Sequence, residues 1–146
     1  HVLMYFENLD QALKEIYRVL KKGGTIYCST IAKDMMIERD EMLKKFDSKI
    51  SFDQETLYNR FGYENGKEKL AKYFCDIELF DRKETYEITD MDLFYQFILS
   101  GKGLSPNLEP LYRKKVQFYQ YLKNYFDKNK IFYLTTHAGM FKARKD

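Results

Sequence analysis

Arg18-Val19-Leu20-Lys21-Lys22-Gly23-Gly24-Thr25-Ile26-Tyr27 joins the end of an amphipathic helix to the start of a hydrophobic strand. Reading backwards from it, Leu9, Leu13, Ile16, Tyr17 and Leu20 recur at helical spacing and share one face. Lys21 and Lys22 then fall at the negative end of the helix dipole, and Gly23 suits the left-handed residue that follows a helix C-terminus. Gly24 lets the chain swing into a strand over 25–30. A helix that hands over directly to a strand is the basic joint of an α/β fold.

Working outward, Asp34 is placed to cap a helix on which Met35, Met42 and Phe46 recur at helical spacing, with Ile37 and Leu43 beside them, running to about Lys45. Ser51 to Phe61 has no clear period and reads as a loop or a short helix. Asn65-Gly66-Lys67-Glu68 has the form of a capping box ahead of Leu70, Tyr73 and Phe74. Alternation in Asp76-Ile77-Glu78-Leu79-Phe80 predicts a strand, which Glu84 to Ile88 continues or re-enters after a turn or bulge at Asp81-Arg82-Lys83. Thr89 and Asp92 form a second capping box for a helix striped with Leu93, Phe94, Phe97 and Ile98 that ends at Ser100-Gly101. Gly103, Pro106 and Pro110 mark a loop and a mobile connection between 101 and 110. A helix from about Glu109 to Lys128 carries Leu111, Phe118, Leu122, Tyr125 and Phe126 on one face. The last strand starts at Ile131, breaks near His137-Ala138-Gly139 and resumes through Met140 to Arg144. His137, between Thr135, Thr136 and Gly139, reads as filling that break.

At 146 residues, 45% hydrophobic and 17% aromatic, the chain is long enough for one core, and one domain over 1–146 is expected. The net charge of +3 is uneven, with ten Lys or Arg between 101 and 146 against Glu109, Asp127 and Asp146. A nucleic-acid face is nevertheless not expected, because the basic residues from Arg113 to Lys130 make the wet side of a helix. The aromatics sit at core spacing and do not alternate with basic residues. Cys28 and Cys75 lie in apolar, strand-like settings with no CxxC and no histidine pair, so neither a disulfide framework nor a metal site is expected. No run approaches the roughly 18 apolar residues of a membrane span. His1-Val2-Leu3 is neither a signal peptide nor an initiation site, and a cytoplasmic origin is expected.

The Gly23-Gly24 joint, with His1-Val2-Leu3-Met4-Tyr5 before it and Tyr27-Cys28-Ser29-Thr30 after it, resembles the late motifs of the class I S-adenosylmethionine-dependent methyltransferases. There a histidine-containing loop after the fourth strand precedes a helix that ends in Arg-Val-Leu-Lys-Pro-Gly-Gly, and the fifth strand follows. Lys22 stands where the family has proline, which leaves the turn possible but less pre-set. Tyr63-Glu64-Asn65-Gly66 with Leu70 and Phe74, and the Gly139-to-Ala143 ending, are similar to later segments of the same family. The resemblance implies the C-terminal part of a Rossmann-like α/β fold, with a mixed sheet whose last strand is antiparallel and with helices packed on it. The family's glycine-rich cofactor turn belongs roughly a hundred residues upstream of the joint, with an acidic ribose-binding residue about 20 residues after that turn. Neither is present, so the chain is expected to be a truncated domain that alone neither holds S-adenosylmethionine nor catalyses.

By the same resemblance His1, Leu3 and Tyr5 occupy the loop that passes the cofactor and the methyl acceptor. His1 is then the candidate catalytic base or orienting group, His1 and Leu3 are cofactor-facing, and Tyr5, Thr30 and Glu64 are acceptor-facing. Ligands of doubly wound folds bind beyond the carboxyl ends of the strands, which places Ser29, Thr30 and the segment after them at that crevice. Methyl transfer from a sulfonium asks the protein mainly for alignment, so the absence of a catalytic triad is no obstacle. The acceptor expected is a small molecule. The alternative is a non-catalytic interaction module that kept half of the fold. In either case a sheet deprived of its neighbouring strands is expected to self-associate through its exposed edge.

Overall fold

The computed structural model describes residues 1–52 and 55–146. It is an α/β chain with helices α1 (Leu9–Val19), α2 (Ile37–Phe46), α3 (Glu55–Arg60), α4 (Gly66–Leu70), α5 (Met91–Leu99), α6 (Glu109–Arg113) and α7 (Lys115–Asn129). Its strands are β1 (Thr25–Ile31), β2 (Cys75–Ile88) and β3 (Phe132–Arg144), arranged in the order β1-β3-β2. β1 and β3 pair antiparallel from Thr25 opposite Arg144 to Ile31 opposite Ala138. On the other side of β3 the ion pairs Asp76–Arg144 and Glu78–Lys142 step in opposite directions along the two strands, as antiparallel neighbours do. The last strand therefore runs against both others and lies between them, which fits part of a Rossmann-like fold.

Two compact units divide the chain. One comprises His1–Met35, Gln54–Glu84 and Thr136–Asp146, and the other Met36–Asp53 and Thr85–Thr135. The first unit is built on Leu3, Met4, Leu13, Phe61, Leu70, Phe74, Phe141 and Ala143. The second is built on Leu43, Ile50, Phe94, Ile98, Leu111, Phe118, Leu122 and Phe126, with ring pairs such as Phe94 and Phe132 at 4.6 Å between centroids. Each fully buried Leu or Phe contributes about 1.5–3 kcal/mol through removal of apolar surface from water.

In the first unit Asn8 caps α1 by accepting from the Gln11 N–H at 3.0 Å, and Leu13 is buried as the spacing predicts. The joint after α1 differs in detail from the expectation. The helix stops at Val19, and Gly23 is left-handed (φ 74°) as the third residue of a turn closed by the Gly24 N–H on the Lys21 carbonyl at 2.8 Å. That is the pattern of a type II turn, whose third position needs positive φ and whose second position favours proline. Lys22 holds that second position. The negative end of α1 is met by Lys145 rather than by Lys21 and Lys22. Its ammonium donates to the Tyr17 and Leu20 carbonyls at 2.7 and 2.9 Å.

Several boundaries move for identifiable reasons. Asp34 does not cap α2, since Met36 takes the cap position in a left-handed conformation (φ 58°) and the Asp34 carboxylate is engaged elsewhere. Asn65 does not close a capping box: its oxygen accepts from Gly62 N–H at 2.7 Å and its amide donates back to Tyr58 and Asn59 carbonyls, stapling the preceding turn. Asp90, not Thr89, caps α5, accepting from Leu93 N–H at 2.9 Å. The expected helix from 109 is broken at Lys114, which reaches Asp47 at 2.7 Å, though Leu111, Phe118, Leu122 and Phe126 are buried as read. Between 51 and 61 the short-helix alternative is the one seen, as α3, with residues 53 and 54 lying outside the described residues. Where a loop was read from 101, a 3-10 turn (Pro106–Leu108) leads into α6, and Leu108 is fully buried. β2 runs straight through 81–83 and β3 straight through 137–139, with no turn in the first and no break in the second. Cys28 is buried, and burial pushes its thiol up to about 11, while Cys75 is half-buried with its sulfur on the Arg144 carbonyl.

Candidate functional site

The carboxyl end of β1 is tied down by groups from the turn ahead of α4. Thr30 is fully buried and its hydroxyl donates to the Phe61 carbonyl at 3.3 Å. Tyr63 N–H donates to the Ile31 carbonyl at 3.1 Å, and Glu64 accepts from Lys33 N–H at 2.9 Å. The backbone nitrogen of His1, not its ring, lies 2.7 Å from the Ser29 hydroxyl, so the segment entering the 3-10 turn Leu3–Tyr5 meets the same strand end.

These bonds give each sequence-predicted residue its local setting. Leu3 is buried in the first unit's core. Thr30 is buried, and its hydroxyl hydrogen is engaged by the Phe61 carbonyl at the strand end. Glu64 has one oxygen engaged in the backbone tie and is otherwise exposed. His1 and Tyr5 are exposed, Tyr5 at 60%. Among the described residues no hydrogen bond joins the side chains of His1, Tyr5, Thr30 and Glu64 to one another.

The polar cluster that the structure does assemble lies just past the end of β1 and centres on a residue that the sequence reading assigned to a strand break. His137 stands in uninterrupted β3, with its carbonyl accepting from Ala32 N–H at 3.0 Å. Its Nδ1 lies 2.6 Å from Asp34 and its Nε2 lies 2.9 Å from Asp81 on β2. The second Asp34 oxygen accepts from Lys83 at 2.6 Å, and the Tyr63 ring packs on the imidazole with centroids 4.7 Å apart. Gly139 belongs in the strand because a Cβ there would come within 2.9 Å of the Tyr63 ring and 2.8 Å of Leu79. Burial opposes ionisation of Asp34, but the hydrogen bonds from Lys83 and His137 outweigh it and hold the carboxyl below its ordinary value. Desolvation and the Asp81 charge push the Tyr63 hydroxyl up. No group of three or more His, Cys, Asp or Glu among the described residues is arranged to hold a metal ion.

An apolar concavity in the second unit is lined by Met36, Ile88, Leu93, Phe94, Phe97 and Leu134. It takes up the methionine at 36 that the sequence placed after the strand. No helix of the described residues is long and apolar enough to cross a membrane.

Residues 1–28 match a family model described as a methyltransferase domain. No curated protein sequence matches the chain. Solved structures that it resembles include a protein described as a methyltransferase from Bacillus halodurans, at 15% identity and a TM-score of 0.46 over 98% of this chain and 60% of that one. Another is phosphoethanolamine N-methyltransferase 2 of Haemonchus contortus, solved with phosphomonomethylethanolamine and S-adenosylhomocysteine, at 19% identity and a TM-score of 0.39 over 98% and 31%. The chain thus spans less than two thirds of the length of either.

Proposed function

We propose, from the methyltransferase-domain sequence of residues 1–28, that residues 1–146 are the C-terminal portion of one class I domain that moves a methyl group from S-adenosylmethionine to a small-molecule acceptor in the cytoplasm. The observation that carries the reading is the coincidence of that match with the helix, type II turn and strand at 9–31. The position of β3 between β1 and β2, antiparallel to both, supports it.

The described residues fit the cofactor poorly. They include no glycine-rich turn, and Leu3 is withdrawn into the core, which leaves His1 as the cofactor-facing side chain. No step is therefore routed through the cofactor on this chain alone, which we expect to be inactive. What these residues do in the reading is local. Thr30 and Glu64 fix the strand end, His1 and Tyr5 face the acceptor from the adjoining segment, and His1 orients it.

The test is to read the coding DNA upstream of His1. About a hundred codons specifying a strand, a glycine-rich turn and an acidic residue about 20 positions later are expected. A stop codon or an unrelated domain there overturns the reading in favour of an interaction module. Calorimetry with S-adenosylhomocysteine adds a second check, with no heat of binding expected for the 146-residue chain.

A further inference from the structure

We propose that the apolar concavity of the second unit is a binding site for a neutral, apolar small molecule with a body of roughly two or three aromatic rings. The inference stands on this unit alone and does not depend on the methyl-transfer reading. The side chains that line the concavity are Met36, Ile88, Leu93, Phe94, Phe97 and Leu134, and none of them carries a charge, a hydroxyl or an amide.

The lining selects the chemistry of the occupant. A charged or strongly polar ligand entering it would give up its hydration for walls that offer no partner. A neutral apolar ligand releases water from its own surface and from Leu93 and Phe97, which stand 64% and 40% open to solvent. Size selects further. The concavity holds about 390 Å³, within the range of small-molecule sites. A dry cavity of roughly 150 Å³ with Leu, Ile and Phe walls takes one benzene ring, so a space of this volume has room for roughly two or three. A protein partner or a second copy needs about 20–30 residues a side, several times the six gathered here.

The walls are preformed. Phe94 is buried, and its ring sits 4.6 Å from Phe132, 6.2 Å from Phe126 and, nearly parallel at 20°, 6.3 Å from Phe97. Met36 is fixed at both ends. Its backbone is left-handed (φ 58°) with the N–H donating to the Thr135 carbonyl at 2.8 Å, and its sulfur accepts from the Arg39 guanidinium at 3.1 Å. Arg39 is itself buried, 3.6 Å from the centre of the Phe52 ring. A left-handed backbone is costly for methionine and persists where its surroundings dictate it, so an otherwise adaptable side chain is held here as a wall. Rigid walls spare the ligand the cost of ordering its own site.

The test uses the 146-residue chain and a matched pair of dyes: neutral N-phenyl-1-naphthylamine, and 8-anilino-1-naphthalenesulfonate, the same skeleton with a sulfonate added. Fluorescence titration is expected to show the neutral dye saturating at one per chain and binding at least about tenfold tighter than the sulfonate. Leu93→Asp puts a carboxylate on the wall at a first-turn position of α5, where a helix accepts it, and is expected to weaken the neutral dye at least about tenfold. Val116→Asp, in the first turn of α7 and outside the lining, is expected to leave binding unchanged. In methyl NMR of the methionine-labelled chain, with Met36 assigned through Met36→Leu, the Met36 resonance is expected to move on adding the neutral dye. That of Met140, in the first unit, is expected to stay. Absence of saturable binding, a sulfonate bound as tightly as the neutral dye, equal losses in the two aspartate variants, or a Met36 resonance that the dye leaves in place overturns the proposal. So does a Met36 resonance that moves with chain concentration alone, which assigns the concavity to a second copy. If Leu93→Asp does not fold, the Met36 resonance decides alone. None of these results bears on the methyl-transfer reading, which the upstream coding DNA decides.

Discussion

Gly23 and Lys22 show how far a single residue can be read from sequence. The need for a left-handed residue was legible, because glycine pairs after a helix have few other uses, but its exact place in a type II turn was not. Gly23→Ala is expected to destabilise the chain by about 1–2 kcal/mol, the cost of holding a side chain in left-handed space. Lys22→Pro is expected to stabilise it by about 0.4–1 kcal/mol, since the turn already asks for proline's φ at that position. Urea midpoints of the two variants, moving in opposite directions, check both. His137 is the opposite case. Its partners lie 103 and 56 residues away, so no local spacing announces them, and the glycine beside it mimicked a strand break. That glycine answers to the Tyr63 ring, a contact visible only once the chain is folded.

At the scale of elements, apolar periodicity located α1, β1, α5 and α7 because each buries one stripe in its own unit's core. It was ambiguous at β2, where Asp81-Arg82-Lys83 read as a turn or a bulge and the chain stays in one strand. Those charges have partners across the strands, Asp81 at His137 and Lys83 at Asp34, and with partners a charged run is compatible with an unbroken strand. The caps failed for a related reason: Asp34 and Asn65 are bonded to groups that a local reading cannot see. The tie between β1 and β2 through Asp34 has a definite pH signature. The carboxyl is held below its ordinary value in the folded chain, so its contribution is fully present above about pH 4 and is lost as the pH falls through the lowered value. Denaturation of the chain and of Asp34→Asn across acid pH is expected to show the variant weaker at neutral pH and the two converging in strong acid. A constant gap would place the effect in packing instead.

For the whole molecule, an α/β organisation was legible from the order of elements and the antiparallel last strand only from the family resemblance, whereas the division into two compact units was not legible. Both units draw on segments distant in sequence, so no composition change marks a boundary. The two outer strands of the described sheet differ in chemistry. Between Glu78 and Glu84 β2 carries five charged residues, Glu78 and Asp81 to Glu84, that discourage edge pairing, while β1 has no charged residue between Thr25 and Ile31 and exposes Tyr27. The isolated chain is therefore expected to self-associate through β1. Light scattering over a concentration series should show mass rising with concentration, and Tyr27→Lys should reduce the rise. A monomer throughout would refute it.

The central place of β3 also sets an order of events during translation. Thr25 has its ladder partner at Arg144, and β2 has its partner on the same strand. A ribosome that has released everything before residue 132 has produced two strands that, among the described residues, share no ladder with each other. The sheet then closes only as its final strand threads between the two that have been waiting, a late and long-range step of the kind that makes folding slow and nascent chains dependent on protection.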